Sequence, residues 1–372
     1  MGIKTRKVET QRFFRASVVT FGYFLPMTDC SRHNRPPYLM ITALGLALVL
    51  AIVVSAGMGY LAITPLEVAQ VIWAKVSGSP LPVDFDPTFG YVVWEVRLPR
   101  ILTAALVGGS LAVAGVLFQA ILLNPLADPY TLGVSSGAAF GASLALLINI
   151  SFLSLYSVPL FAFAGAVATL FVVLALASVD GRLGTGTLIL SGVIVAAILS
   201  AGIGFIKHLA DEQVAVIIFW LMGSFAARTW SHVMLVCGAA LAGLVIAFFF
   251  GRDLNIMALG QRSSDSLGVD TARTRKILLV AGSLVTATCV SVSGIIGFIG
   301  LITPHLMRFI VGPDNRKLIP VSFLAGAILL LAADTLTRAV LPSEVPIGVL
   351  TALIGGPFFC YIFRKKQLHA LS

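Results

Sequence analysis

Long uninterrupted apolar runs are the feature that most restricts what this chain can fold into. One of them, VMLVCGAALAGLVIAFFF from Val233 to Phe250, carries no charged residue. About 20 such residues in a helix cross the ~30 Å hydrocarbon core of a bilayer. Of the 372 residues 58% are hydrophobic and only 11% are charged, whereas a soluble domain has about 25% charged residues. The chain is therefore predicted to be an all-α polytopic membrane protein, and not a β-barrel, whose strands would alternate.

Ten of these runs are predicted to cross the bilayer. They cover residues 38–61, 101–123, 131–150, 158–178, 188–206, 232–250, 277–293, 297–311, 319–340 and 347–363. A further stretch, 207–231, is apolar in its middle but is flanked by basic and acidic residues. Because charged residues are costly inside lipid, we interpret it as a surface or re-entrant helix and not as an eleventh crossing.

The distribution of Lys and Arg predicts the orientation of these crossings. If both termini are cytoplasmic, 19 of the 25 basic residues lie on the inner side of the membrane, as is typical of membrane proteins. The helix at 207–231 then lies on the outer side. The chain divides into a basic cytoplasmic arm (1–37), a ten-span domain (38–363) with a cytoplasmic loop at 251–276, and a cytoplasmic tail (364–372). The same bias accounts for the net charge of +9 without a nucleic-acid partner.

The chain carries no motif that would let it drive transport or catalyse a reaction alone. None of its lysines follows a glycine, so a phosphate-binding Gly-Lys loop is absent, and so is an HExxH metal motif. Its four cysteines are scattered singly, which argues against a metal or redox site. Two alternatives remain open. An ion-coupled secondary transporter would need carboxylates at mid-membrane depth, and a membrane-embedded enzyme would need clustered His, Asp or Glu.

One acidic and one basic residue lie close together in the ninth predicted crossing. Asp334 and Arg338 are four residues apart near its outer end, a spacing that places them on one helical face. We therefore expect a structural ion pair between them.

Three stretches together resemble one family of transport proteins. They are RLPRILTAALVGGSLAVAGVLFQAILLNPLADPYTLGVSSGAAFGA (97–142), NIMALGQRSSDSLGV (255–269), and SGIIGFIGLITPHLMRFIVGPDNRKLIPVSFLAGAILLLAADTLTRAV (293–340) followed by EVPIGVLTALIGGPFF. In order and spacing they resemble the permease subunits of the FecCD family, the type II ABC importers for cobalamin, haem and ferric siderophores. The resemblance runs from about residue 40 to the C-terminus.

This resemblance implies a fold, a set of partners and a division of labour. Spans two to five and seven to ten would form repeats of opposite topology. The chain would lie in a bacterial inner membrane, with the helix at 207–231 on the periplasmic side. It would be a homodimer that works with two cytoplasmic ATP-binding subunits and a periplasmic substrate-binding protein. ATP and Mg would bind to the ATPase subunits, while this chain would be a non-catalytic permease without a cofactor or metal of its own.

The polar segment between the sixth and seventh spans is a candidate coupling site. In the family this loop forms two short helices that sit in a cleft of the ATPase, and the matching residues are Met257, Ala258, Leu259, Gly260, Asp265, Ser266, Leu267 and Gly268. Docking would use the apolar side chains of the segment, which are Ile256, Leu259, Leu267 and Val269. Ser263 and Ser264 are expected to cap the second short helix. The alternative is a basic loop that lies on anionic lipid.

Arginines at the outer mouth are a second candidate site. By charge alone Arg97 and Arg100 are interfacial anchors that reach the surface. The family resemblance implies that Arg97, Arg100 and Arg338 form salt bridges to glutamates on the binding protein. Arginine suits such bidentate contacts with carboxylates.

Residues near the fourth and fifth spans are candidates for the pathway. In RLGTGTLILSG the family resemblance places Thr185 and Gly186 at the cytoplasmic gate, although an ordinary glycine-rich turn explains this stretch nearly as well. Gly186 departs from the hydroxyl pair of many relatives. Ser191 and Ser200 are candidates for facing the pathway, which the resemblance places along the dimer axis.

The substrate is not decided by any residue. His305, in LITPHLM, is a possible haem ligand, but the Pro-His pair belongs to the family framework, so a hydrogen-bonding role at a helix end is favoured. Haem is preferred over a ferric siderophore or cobalamin only on an overall likeness to haem-importing members.

Overall fold

The structure is a computed structural model that describes residues 37–59, 61, 63–80, 86–149, 156–179, 182–339 and 344–371. These residues form fifteen α-helices, ten of which are apolar helices that correspond to predicted crossings. Seven of these ten helices are long and apolar enough to cross a membrane, and three are shorter. Each corresponds to one predicted crossing, so the all-α polytopic fold is confirmed. The predicted arm at 1–37 lies outside the described residues except for Pro37.

The helices follow one another in a simple order. They are α1 (Pro37–Gly57), α2 (Pro65–Ser77), α3 (Pro87–Tyr91), α4 (Leu98–Ile121), α5 (Val134–Ile148), α6 (Ser157–Ala177), α7 (Thr185–Leu209), α8 (Val214–Leu221), α9 (Trp230–Phe249), α10 (Gly251–Met257), α11 (Gln261–Ser266), α12 (Thr271–Ser293), α13 (Ile299–Val311), α14 (Asn315–Ala339) and α15 (Ile347–Leu371). Two-residue strands, β1 (Ser178–Val179) and β2 (Arg182–Leu183), pair antiparallel between α6 and α7.

The second crossing starts earlier than the predicted residue 101. A continuous helical segment runs from Pro87 to Ile121, and its stretch Val92–Arg97 is a π-helix that leads directly into α4. Asp86 caps the start, since its carboxylate accepts a hydrogen bond from the Thr88 N–H at 2.8 Å. The π-helical turn lies just ahead of Pro99, whose missing N–H interrupts an ordinary helical ladder.

The predicted surface or re-entrant segment at 207–231 contains the short helix α8. Its eight residues span about 12 Å, which is too short to cross a ~30 Å hydrocarbon core. Which side of the membrane it occupies stays a prediction.

Helix α4 is the centre of the bundle because small residues let other helices approach its backbone. A Cβ at Gly108 would collide with the Gly326 carbonyl of α14, and a Cβ at Gly115 would collide with the Gly300 carbonyl of α13. Most of α4 is buried. Close approach at glycine is a common way to pack helices in lipid, where no hydrophobic effect drives helix association.

Helices α4–α7 and α12–α15 form an inverted repeat. Helix α4 packs on α14, while its counterpart α12 packs on α6. The second helix of each set also starts alike: Gly133 caps α5 with a φ of 74° and lies against Gly192 of α7, and Phe298 caps α13 with a φ of 69° and lies against Gly355 of α15. The recurrence of this left-handed start, which is unusual for Phe, supports the repeat.

We predict that Gly115→Val disrupts the bundle whereas Gly238→Val does not. The first change forces a branched side chain into the α13 backbone, and such overpacking costs about 1–3 kcal/mol or more. The second is a matched control, because a Cβ at Gly238 meets nothing within 4 Å. The thermal unfolding midpoint of the detergent-solubilised protein measures both, and equal midpoints would contradict the packing described for α4.

Candidate functional site

The predicted site residues fall at opposite ends of the bundle. Arg100, in the first turn of α4, meets Asp334 in the last turns of α14, and we call this the arginine end. Residues 251–269 contact the first turn of α14, where Gly251 lies against Arg316, and we call this the loop end. Helix α14 has 25 residues and so joins the two ends over about 37 Å.

A buried carboxylate at the arginine end pairs with Arg100. Arg100 Nη2 lies 3.1 Å from Asp334 Oδ1, and Arg100 Nε donates to both carboxylate oxygens at 3.2 Å. Arg100 Nη1 also donates to Glu344 Oε1 at 3.1 Å. Asp334 is 1% exposed and Glu344 is 55% exposed, so Arg100 binds one buried carboxylate and one carboxylate at the surface.

The prediction that Asp334 pairs with Arg338 is wrong, because Asp334 pairs with a different arginine. Asp334 pairs with Arg100 across two helices, whereas Arg338 Nη1 donates to the Met58 carbonyl at 2.6 Å and Arg338 Nη2 donates to the Ser55 carbonyl at 2.7 Å. The spacing of four residues allowed the pair, but the open carbonyls of α1 compete for the Arg338 guanidinium.

Two arginines complete the carboxyl end of α1. Arg97 Nη1 donates to the carbonyls of Ala56 and Gly57 at 2.7 and 3.1 Å, and Arg97 Nη2 donates to the Leu61 carbonyl. The guanidinium groups of Arg97 and Arg338 together donate to carbonyls that a helix end leaves without partners. A positive charge is also favourable at the carboxyl end of a helix. A side chain at Gly59 would lie within 3.1 Å of both guanidinium groups, so the turn after α1 needs glycine there.

The docking role of the three arginines stays a prediction. Arg97 is 6% exposed, and its guanidinium is directed at backbone carbonyls of its own chain. Arg100 and Arg338 are half-buried. The sequence pattern did not indicate Glu344 or the carbonyls of α1 as partners, because both come from distant parts of the chain.

The loop end contains two short helices, as the family resemblance implied. They are α10 and α11, and Gly260 between them has a φ of 94°. Leu259 is 54% exposed and Leu267 is 61% exposed. Met257 and Val269 are buried instead, so Val269 is not one of the exposed apolar side chains that we expected.

The expected capping of α11 by Ser263 and Ser264 is wrong. Gly260 occupies the cap position, and both serines lie inside the helix. Ser264 Oγ donates to the Ile256 carbonyl at 3.0 Å and to the Gly260 carbonyl at 2.8 Å. Ser264 therefore ties α11 to α10, a contact that the local sequence does not reveal.

A side-chain network fastens this loop to α14. Asn255 Nδ2 donates to Asp314 Oδ1 at 2.7 Å, while Asn255 Oδ1 accepts from Asn315 N and from Asn315 Nδ2, each at 2.9 Å. Sequence analysis missed these residues. Their only signal was the polar pair Asp314-Asn315 between a Gly-Pro turn and an apolar run.

The candidate pathway residues are divided between two faces of α7. Thr185 and Gly186 form its first turn, and a Cβ at Gly186 meets nothing within 4 Å. Ser191 is buried in the bundle, whereas Ser200 is exposed. Nine residues of helix turn through about two and a half revolutions, so these two serines lie on opposite faces and do not line one side of a pathway.

His305 is buried among aromatic rings and backbone of the bundle. Its ring centroid lies 5.0 Å from that of Phe309 in an edge-on arrangement and 6.2 Å from that of Phe359. The residue follows Pro304 inside α13, so it lies in the middle of the helix and not at its end.

We predict that Asp334→Asn destabilises the protein far more than Glu344→Gln. Removing the buried carboxylate leaves the Arg100 charge poorly compensated, and breaking a buried pair costs about 3–5 kcal/mol. The exposed pair with Glu344 contributes roughly 0–1 kcal/mol. Thermal unfolding in detergent compares the two matched carboxylate-to-amide changes; similar midpoints would show that the buried pair does not stabilise the arginine end.

Known proteins resemble this chain in sequence over most of its length. The cobalamin import system permease protein BtuC of Halobacterium salinarum is 42% identical over 293 residues, which are 79% of each chain. The hemin transport system permease protein HmuU of Yersinia pestis is 35% identical over 337 residues, 89% of this chain and 97% of the relative.

A solved structure and a family match agree with these relatives. An inward-facing metal-chelate type ABC transporter has a TM-score of 0.76 and 34% identity, with 88% of this chain and 99% of that chain covered. The FecCD transport family matches residues 47–365. The chain therefore belongs to the FecCD transport family, and the two relatives that it resembles are named as permease proteins of a cobalamin import system and a hemin transport system.

Proposed function

We propose that this chain is the pore-forming subunit of an ATP-driven importer that moves a metal chelate from the periplasm to the cytoplasm of a bacterium. The observation that carries the proposal is the pair of short helices at the loop end, which present two exposed leucines on an otherwise polar surface. Family membership supports an ATPase and a substrate-binding protein as the partners. The orientation proposed places the loop end and both termini in the cytoplasm.

The loop end is proposed to dock on the ATPase. Leu259 and Leu267 supply apolar contact area, and each is followed directly by a glycine with a positive φ, Gly260 and Gly268. Exposed apolar side chains outside the spans are typical of a protein interface. The alternative, a loop lying on anionic lipid, is less suited because Asp253, Asp265 and Asp270 reduce its positive charge. ATP and Mg would be held by the ATPase.

The arginine end is proposed to receive the binding protein. Arg100 is the best placed of the three arginines for this role, because its Nη1 already reaches an exposed carboxylate, that of Glu344. A glutamate of the binding protein can take a similar position. Arg97 and Arg338 would act there through the end of α1 that they hold.

Two copies of the chain are proposed to form the pore. Helix α7 exposes a row of apolar residues along one face, namely Leu190, Val193, Ile194 and Ile198, and Ser200 continues this face. A dimer axis along this face would place Ser200 at the pathway and Thr185 and Gly186 at its cytoplasmic gate.

Haem is the substrate that we propose to test first. The likeness to the Yersinia hemin permease over nearly its whole length supports haem, whereas the higher identity to the halobacterial cobalamin permease supports cobalamin. A ferric siderophore is the third candidate. The side chains described in this chain do not separate these chelates, since selection would rest with the binding protein.

An affinity purification of the tagged chain from its native membranes tests the proposed function and its substrate. We expect an ATPase subunit and a binding protein to co-purify, and the binding protein to show the Soret absorption of haem. A corrinoid spectrum or a siderophore charge-transfer band would replace haem by another chelate. Purification of the chain alone after crosslinking would favour an ion-coupled transporter instead, and turnover by the isolated chain would favour an enzyme.

We predict that Leu267→Asp releases the ATPase without unfolding the permease. A charge on an exposed apolar contact removes docking area, while the bundle itself is untouched. Leu66→Asp, an equally exposed leucine in α2, is the matched control outside the predicted ATPase interface. Co-purification and the thermal midpoint report docking and folding separately. Retention of the ATPase by the Leu267 variant would contradict docking through this loop.

A further inference from the structure

The first turn of α14 and the loop end are held together by one asparagine. Asn255 uses its whole amide: Nδ2 donates to Asp314 Oδ1, and Oδ1 accepts from both N–H groups of Asn315. The opposite amide orientation would set the Asn255 NH2 against those two donors, so the network determines the orientation. We call these three residues the Asn255 clamp.

The clamp holds the start of a helix and not a loose segment. Asp314 accepts the N–H of Leu318 through its carbonyl at 2.9 Å, and its Oδ1 accepts the N–H of Arg316 at 3.0 Å. Asp314 therefore caps α14 while it binds Asn255. Asn315 is buried, and the side chains of Leu254 and Leu318 beside the clamp are fully buried, so the three polar residues are partly shielded from water.

A second polar contact extends the connection to α11. Ser264 is fully buried and its Oγ donates to the Ile256 carbonyl, one residue after Asn255. A series of side-chain contacts thus runs from α11, next to the exposed Leu267, through α10 to the first turn of α14. On its other side α11 is joined to α12, because Thr271 Oγ1 donates to Asp265 Oδ1 at 3.3 Å.

The other end of α14 holds the arginine end together. Asp334 binds Arg100 of α4, and Arg338 binds the carboxyl end of α1. Helices transmit displacement well when both of their ends are held by specific contacts, because packed interfaces have few alternative arrangements. Helix α14 meets this condition at both ends.

We propose that Asn255 is a positioning residue for coupling, which makes α14 the element that relates the ATPase at the loop end to the binding protein at the arginine end. This inference rests on the proposed function. A movement of α10 and α11 would displace the first turn of α14 through the clamp, and the last turns of α14 would shift the contacts of Arg100 and Arg338. A binding protein at the arginine end would act on the ATPase through the same helix, in the opposite direction.

The test measures how far the binding protein stimulates ATP hydrolysis by the assembled importer in proteoliposomes. We expect Asn255→Ala to keep the ATPase bound but to reduce the stimulation factor by about five-fold or more, the lower range of coupling between linked sites. Asn124→Ala is the matched control, since Asn124 lies in the loop between α4 and α5 and, among the described residues, its side chain accepts a local hydrogen bond from the Leu126 N–H at 3.0 Å. It should keep the stimulation of the unmodified protein.

Variants at Asp314 test the clamp from its other side. Asp314→Asn keeps an oxygen that can accept from Asn255 and should retain stimulation, whereas Asp314→Ala should lose it as Asn255→Ala does. Unchanged stimulation in the Asn255 variant would overturn the proposal while docking through Leu267 stands. Loss of the ATPase from that variant would also overturn it, because Asn255 would then support the docking surface alone. If the binding protein does not stimulate ATP hydrolysis by the unmodified assembly, there is no coupling for Asn255 to support. That result would also overturn the proposal.

Discussion

The close backbone contact of α4 with α14 and α13 is the constraint on which the rest of the structure depends. In lipid, burial of apolar side chains does not by itself favour one helix arrangement over another, since the tails of lipids are equally apolar. Specific contact requires that backbones approach, and Gly108, Gly115 and Gly326 permit this. Once α4 and α14 lie side by side and antiparallel, Arg100 is brought to Asp334, and the order of the inverted repeat follows.

Helix α14 makes different contacts at the two ends of the bundle. At the arginine end its acidic and basic residues bind α4 and the carboxyl end of α1. At the loop end its first residues receive Asn255. The polar groups of α14 are thus concentrated at its ends, where interactions with polar partners from other helices avoid the cost of exposing charge to hydrocarbon. A helix arranged this way suits a transport protein whose partners are proposed to bind at opposite ends.

The arginines show that residues predicted to dock a partner also hold parts of their own chain together. Arg97 was predicted as a docking residue from its sequence context, and the structure places its guanidinium on the carbonyls of Ala56, Gly57 and Leu61. These contacts mean that a charge reversal at Arg97 changes the end of α1 as well as the surface. A charge reversal at Arg100 would leave the buried Asp334 carboxylate without its partner, so the exposed Glu344 is the cleaner position for studying a partner.

The sequence by itself determined the ten crossings and the two-helix loop, whereas tertiary structure decided which polar groups meet. Hydropathy and helix length are local properties, so runs such as Val233–Phe250 revealed their helices directly. The start of the second crossing was missed because a π-helical turn before Pro99 let the helix continue to Pro87. Asp334 pairs with Arg100 and not with Arg338, and Ser264 donates to the Ile256 carbonyl instead of capping α11. These choices depend on contacts between residues up to 234 positions apart, and the packing of helices, not the spacing along the chain, sets which donor and acceptor come within hydrogen-bonding distance.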